Sequence, residues 1–224
     1  MQIILRLGGS IIASPVKPNL INEYVNVLEN LTERGHRLIV IVGGGGLARE
    51  FISVSKSLGL CKADQDEIAI SISRVFALLF VRKLGKLACE SVPVTLERAI
   101  ECSEKAKIVI MGGLKPGMTT DTVAAMLAEK IKADLIVKAT DQDGIYDKDP
   151  RKYPDAVKFD RLTFDELPRV FGEGEHEAGI HQILDPEAVK LLKRGMCKVV
   201  VVNGSQPRNV LLAIAGKPVG TSIG

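Results

Sequence analysis

"LIVIVGGGGLAREF" occupies residues 38–51, and its reading decides the fold. Five aliphatic residues run without alternation into four glycines, and Arg49 follows three places after the last of them. An unbroken Leu/Ile/Val run of this length marks a strand covered on both faces. Glycines at its end let the chain turn sharply and let a ligand approach bare backbone. The segment that follows, "LAREFISVSKSLG" (47–59), has the pattern of a helix closed by glycine.

The same unit recurs outward in both directions. "IILRL" (3–7), "KIVIM" (107–111), "DLIVKA" (134–139) and "CKVVVVN" (197–203) read as buried strands. "LINEYVNVLENLTERG" (20–35), "DEIAISISRVFALLFVRKLG" (66–85), "TVAAMLAEKIKA" (122–133) and "PEAVKLLKRG" (186–195) read as helices. In the second of these, Ile68, Ile72, Val75, Phe76 and Leu79 fall at helical spacing. Apolar strands alternating with helices predict an α/β fold, a three-layer αβα sandwich around a mostly parallel sheet. Without repeat or linker, the 224 residues read as one domain, 1–224. Residues 147–183 are polar and irregular and read as loops over one edge. Within them "FGEGEHEAGIHQ" (171–182) suits a lid or a plain surface loop equally.

Composition narrows the class. A net charge of +3 without a basic run argues against a nucleic-acid partner. Cys61, Cys89, Cys102 and Cys197 are scattered, and with His36, His176 and His181 they complete no metal spacing; they read as idle thiols of a reducing cytosol. Apolar runs are too short and too charged to span a bilayer, so a soluble, cytoplasmic protein is expected.

Three glycine loops stand at equivalent strand ends: "LGGS" (7–10), "VGGGG" (42–46) and "MGGLKPG" (111–117). Ligands of open α/β sheets bind beyond the carboxyl ends of the strands. Successive N–H groups in such loops form anion nests, often at a helix start. One loop alone would be a tight turn; three in register could hold a chain of phosphates. The P-loop signature is absent, and Glu50 comes too early to be the ribose acid of a dinucleotide fingerprint. "TDQDGIYDKDP" (140–150) starts like a calcium loop but lacks the later ligands. It is either an Asp-Gly turn or a carboxylate source near a reacting phosphate. "TTD" (119–121) suits an N-cap. Arg49 could clamp a phosphate in two-pronged fashion. Asp66 could hold a ribose diol or simply favour a helix start. Lys138 lies in a buried strand run, where a lysine needs a partner, and is expected to reach the site.

"LGGS", "VGGGGLAR", "MGGLKPGMTTD", "TDQDGIYDKDP" and "ILDPEAVKLLKRG" occur in the order seen in the amino acid kinase superfamily. Over nearly its whole length the chain most resembles the archaeal-type uridylate kinases, which phosphorylate UMP with ATP and Mg²⁺. The resemblance implies a homohexamer built from dimers, with no membrane and no nucleic acid as partner. It places Gly8, Gly9 and Ser10 at the ATP phosphates and Gly44 near the UMP phosphate. Gly45 and Arg49 would stand where the two phosphates meet. Asp66 would hold the UMP ribose. Leu114, Lys115, Pro116, Gly117, Met118, Thr119 and Thr120 would wrap the uracil and acceptor phosphate. Thr140, Asp141, Tyr146 and Asp149 would contact ATP. Arg6, Lys138 and Asp143 would be catalytic, Asp143 as the acid that organises the others, and no protein ligand to a metal is implied.

The chain departs from the pattern in three places. Arg6 stands where many superfamily members have Lys, Asp141 where relatives have Asn, and Phe76 where uridylate kinases usually carry Asn. The rival readings are a sister kinase acting on isopentenyl phosphate or N-acetylglutamate, and a non-catalytic nucleotide-binding or storage protein of the same fold.

Overall fold

The computed structural model describes residues 1–171 and 184–224. His176, His181 and nearly all of the 171–182 segment lie outside the described residues. The strands are β1 (Gln2–Leu7), β2 (Arg37–Val42), β3 (Ile108–Met111), β4 (Leu135–Thr140), β5 (Ile145–Tyr146), β6 (Lys158–Phe159), β7 (Arg161–Leu162), β8 (Val199–Asn203) and β9 (Thr221–Ile223). The helices are α1 (Gly9–Ile12), α2 (Pro18–Glu33), α3 (Gly45–Ser57), α4 (Lys62–Leu84), α5 (Leu96–Lys105), α6 (Thr120–Ile131), α7 (Leu167–Phe171), α8 (Pro186–Gly195) and α9 (Arg208–Ile214).

Among the described residues the main sheet has seven strands in the order β3-β2-β1-β4-β8-β9-β7. Its first five strands are mutually parallel; β9 runs antiparallel to β8. β5 and β6 form a separate ribbon. Strand alternation divides the core in two. Leu5, Leu7, Val40, Val42 and Val137 face α2, α4 and α9. Ile4, Ile39, Ile41, Ile136 and Val201 face α5, α6 and α8. This is the expected three-layer αβα arrangement, with each long strand buried on both faces.

The apolar stripe of α4 differs from its predicted one. Phe76, Ala77, Phe80, Val81 and Leu84 turn inward, while Val75 and Leu79 are 54% and 47% exposed. The second half of this helix is apolar nearly all round, so spacing alone does not select a face. Small Ser73 and Ala77 allow close approach to the sheet, and larger residues are left outside.

The parallel topology brings the carboxyl ends of β3, β2, β1, β4 and β8 into one row. Along it stand residues 112–117, 43–46, 8–10, 140–144 and 203–205, in that order. The fold thereby converts five distant sequence stretches into one edge.

Candidate active site

The glycine loops touch each other directly. A Cβ on Gly9 would stand 2.1 Å from Gly45 N and 2.6 Å from Gly43 O. One on Gly45, whose φ is +60°, would stand 2.2 Å from Gly9 O. Main-chain bonds hold the row in place: Gly8 N–H donates to Ala139 O at 2.9 Å, and Gly43 N–H to Leu7 O at 3.0 Å. Gly43 and Gly45 are there because backbone packs on backbone between two neighbouring strand ends, and Gly46 N–H donates to Ser14 Oγ. A phosphate fits such a cradle; a side chain does not.

Over these loops opens a cleft of about 500 Å³. Of the residues expected there, it is lined by Arg6, Gly9, Ser10, Gly44, Gly45, Arg49, Asp66, Lys115, Gly117, Met118, Thr119 and Thr120. Gly43, Ala48, Lys62, Ala69, Ile70, Ser73 and Gly113 join them. Lys62 begins α4, and its position carried no motif that sequence could flag. Gly8, Leu114 and Pro116 flank the cleft in sequence without lining it. A larger groove, about 810 Å³, lies by α4 and the 89–94 segment and contains none of the expected residues.

The charged centre is built by strand register. β1 and β4 pair in parallel with Arg6 opposite Lys138, and alternation points both toward α6. Two cations side by side on one buried face repel, so the arrangement needs a counter-charge. Asp121, in the first turn of α6, supplies it. Its Oδ2 accepts from Lys138 Nζ at 2.5 Å, and its Oδ1 lies 2.9 Å from Arg6 Nε. Burial by itself would raise the Asp121 pKa, but the fields of Arg6 and Lys138 outweigh it and hold the group below the usual carboxylate value. Burial pushes Lys138 down to about 8, against the opposing pull of Asp121.

This corrects one expectation. Lys138 does not line the cleft: its side chain is 5% exposed and ends on Asp121, one layer behind the wall. Arg6, at 19%, keeps a surface toward the cleft. The acid between the two cations is Asp121, a residue with no role in the sequence reading beyond the helix start. Asp143 accepts from Asn203 Nδ2 at 2.8 Å, at the ends of β4 and β8. Asp121 was hidden in "TTD" because an acid in a first helical turn already has a sufficient explanation in the macrodipole. Thr119 is indeed the N-cap of α6, accepting from Thr122 N–H at 3.0 Å. Asp185, which caps α8, accepts from the hydroxyls of both Thr119 and Thr122 and so ties the two helix starts together.

The Lys138 shift has a pH consequence. Between about 8 and the ordinary lysine value of 10.5, the folded lysine is neutral while the unfolded one is still charged. The unfolded chain then binds more protons, so this group makes stability rise with pH across that window. Loss of the charge acts the other way on any chemistry that needs it. The expected outcome is a turnover rate that declines with an apparent pKa near 8, without a matching fall in Tm. Measuring both on one pH series checks this; a flat rate across the window would contradict it.

At the β3 end, α4 braces the third glycine loop. Ser73 Oγ accepts from Gly113 N–H at 2.9 Å. Arg74 donates through Nε to Gly113 O at 3.1 Å and through Nη2 to Leu114 O at 2.8 Å. Asp66 Oδ2 accepts from Gly117 N–H at 2.9 Å, which pins the far end of the loop. Arg74→Ala is expected to loosen this loop and raise the KM of whatever ligand it wraps by about tenfold, the order of one charge-assisted hydrogen bond. Steady-state kinetics with each substrate varied in turn would check it, and equal effects on both KM values would contradict it.

At the β4 end, Thr140, Asp141, Tyr146 and Asp149 stand outside the cleft, on the other side of the Gly8–Ser10 turn. Asp141, one of the three expected departures from the family pattern, is paired with Arg151 Nη2 at 2.7 Å. Burial would raise its pKa, but the Arg151 contacts prevail and lower it. Asp149 Oδ1 accepts from Arg151 N–H at 3.0 Å. The extra negative charge is thus neutralised inside the segment. Phe76, another expected departure, is 2% exposed in the core and does not line the cleft.

An anion cradle of apposed glycine loops at the carboxyl edge of a parallel sheet, with a cationic centre behind it, defines a phosphate-handling α/β protein. Comparison with known proteins is more specific. The model of the amino acid kinase family matches residues 1–203, and the chain belongs to that family. It is 40% identical over 225 residues to the uridylate kinase of Methanocaldococcus jannaschii, covering 100% of this chain and 99% of that one. The uridylate kinase of Methanothermobacter thermautotrophicus is 37% identical over 223 residues, with the same coverage. The crystal structure of uridylate kinase from Archaeoglobus fulgidus superposes with a TM-score of 0.90 at 37% identity, over 100% of both chains.

Proposed function

We propose that this protein is an ATP-dependent UMP kinase, acting as a single domain over residues 1–224. It moves the γ-phosphoryl group of ATP to the phosphate of UMP, giving UDP for pyrimidine nucleotide synthesis. The observation that carries this reading is the single row of glycine loops, which offers a donor end and an acceptor end separated only by Gly9 and Gly45. The full-length similarity to uridylate kinases supports it.

In this reading ATP lies over Gly8, Gly9 and Ser10, with Thr140, Asp141, Tyr146 and Asp149 at its nucleoside end. UMP fills the 500 Å³ cleft. Its ribose meets Asp66 and its phosphate meets Gly44 and Arg49; residues 114–120 close over the base. No protein nucleophile is needed, because the acceptor phosphate is already an anion. The chain's work is positioning and charge neutralisation. Arg6 meets the charge developing between the phosphates, while Asp121 and Lys138 fix Arg6 from behind. Among the described residues no group of three His, Cys, Asp or Glu side chains could hold a metal. Mg²⁺ therefore suits this site as a companion of the ATP phosphates, neutralising their charge, rather than as the occupant of a carboxylate cage.

Arg49→Ala is expected to raise the KM for UMP and to slow turnover by about 10²-fold, the cost of one lost donor to a transferring phosphoryl group. Kinetics indistinguishable from the parent protein would remove Arg49 from the site.

The assembly is an oligomer of identical chains in this account. Phe51 and Val54 on α3, Leu58 at its C-cap, and Val75, Leu78 and Leu79 on α4 are exposed at helical spacing. Such apolar stripes need a partner surface. A monomer mass in light scattering at working concentration would contradict this. Among the described residues no helix is long and apolar enough to cross a membrane. ATP and UMP as substrates favour the cytoplasm as its place of work.

A further inference from the structure

Two of the four cysteines that look scattered in sequence are adjacent in space. Cys89 Sγ and Cys102 Sγ are 2.7 Å apart, both as free thiols. A disulfide needs roughly 2.0 Å, so well under 1 Å of approach separates the pair from a bond. Their backbones are anchored independently. Cys89 N–H donates to Ile108 O at 2.8 Å, beside a parallel bridge between Ala88 and Ile108 that extends the sheet edge next to β3. Cys102 sits on α5 and is 3% exposed in the core beneath the same sheet. The fold therefore positions both sulfurs before any reaction.

We propose that Cys89 and Cys102 form a redox modification site that accepts one intramolecular disulfide by exchange with a low-molecular-weight disulfide. Access is unequal. Cys89 lines two surface grooves, of about 810 and 600 Å³, and Arg98 lines both beside it. Cys102 borders only the smaller groove and is 3% exposed, and burial pushes its thiol up to about 11, so it is not the member that reacts first. The Cys89 thiolate attacks one sulfur of R–S–S–R; a Cys89–S–S–R bond forms and RS⁻ leaves, taking up a proton. Cys102 then loses its proton and attacks Cys89 Sγ, expelling the second RS⁻. Two cysteine thiols are oxidised and one external disulfide is reduced to two thiols. The product staples α5 and the segment from Glu90 to Thr95 to the edge of the sheet.

The test uses the full-length protein, treated with oxidised glutathione or with a phosphine reductant. Peptide mapping by mass spectrometry and thermal unfolding are read on both. The expected result is a Cys89–Cys102 cross-linked peptide pair and a Tm gain on the order of 5–10 °C over the reduced form. Cys61, exposed and with its thiol donating to Asp64, takes a glutathione adduct and shows that the reagent worked. Cys102→Ser should trap glutathione on Cys89 and abolish the Tm gain; Cys89→Ser should abolish both cross-link and gain. A stable glutathione adduct on Cys89 of the parent protein would overturn the proposal. So would free Cys89 and Cys102 alongside modified Cys61, or a Tm gain that survives either substitution.

Discussion

Asp121→Asn is expected to cut turnover by about 10²–10³-fold, the range seen when one preorganised electrostatic element is lost. The change keeps the side-chain volume and removes only the charge. Arg6 and Lys138 would then face each other across β1 and β4 with no counter-ion. Lys138, already driven down to about 8 by burial, would lose the main interaction that favours its charged form, leaving only the weaker field of Asp185. A buried ion cluster that loses one member costs about 3–5 kcal/mol of stability. Tm should therefore fall together with activity, and the two effects need separating. The rate measured per folded molecule is the decisive quantity. A variant that is folded at the assay temperature and retains kcat within a factor of a few would show that Asp121 is only a structural ion-pair partner.

Gly9→Ala is expected to be among the most disruptive one-methyl substitutions at the cleft. Its Cβ would fall 2.1 Å from Gly45 N and 2.6 Å from Gly43 C, both main-chain atoms of a loop that cannot swing aside like a side chain. Overpacking against flexible neighbours costs about 1–3 kcal/mol; against backbone the cost lies at or beyond the upper end. The separation of the two loops would also increase, and with it the distance between donor and acceptor phosphates. Loss of ATP binding, or failure to fold, is the expected outcome. Gly35→Ala makes a useful comparison. Gly35, unlike Gly9, has a positive φ, +82°, but nothing lies within 4 Å of the added methyl. It should cost only about 1 kcal/mol, through strain alone, and leave kinetics intact. Equal behaviour of the two variants in ATP binding would contradict the packing argument.

These two residues differ in how far sequence could have revealed them. Gly9 was legible. Unbroken aliphatic runs ending in glycine at three places fixed both the buried parallel sheet and the edge where ligands bind. Asp121 was not, because its local setting as the third residue of "TTD" is fully explained by helix capping. Its role depends on the register of β1 against β4, which no local pattern encodes. Asp143 carried the stronger local signal, in an Asp-rich turn after a strand, but its carboxylate meets Asn203 instead. The stripe of α4 failed for a related reason. Val75 and Leu79 obey helical spacing but face outward, because a helix apolar on several sides leaves the choice of face to its neighbours. The contact between Cys89 and Cys102 joins an edge bridge to a helix and likewise has no signature in the spacing. Local chemistry was readable from sequence; pairings made across the sheet were not.

The most direct test of the whole account is ADP release by the purified protein with ATP and Mg²⁺. The acceptors are UMP, CMP, AMP, GMP, N-acetylglutamate and isopentenyl phosphate, offered singly. The account predicts strong turnover with UMP and little with the two non-nucleotides, because it assigns Asp66 and residues 114–120 to a ribose and a base. Turnover with N-acetylglutamate or isopentenyl phosphate in place of UMP, or ATP binding without ADP release from any acceptor, would contradict it.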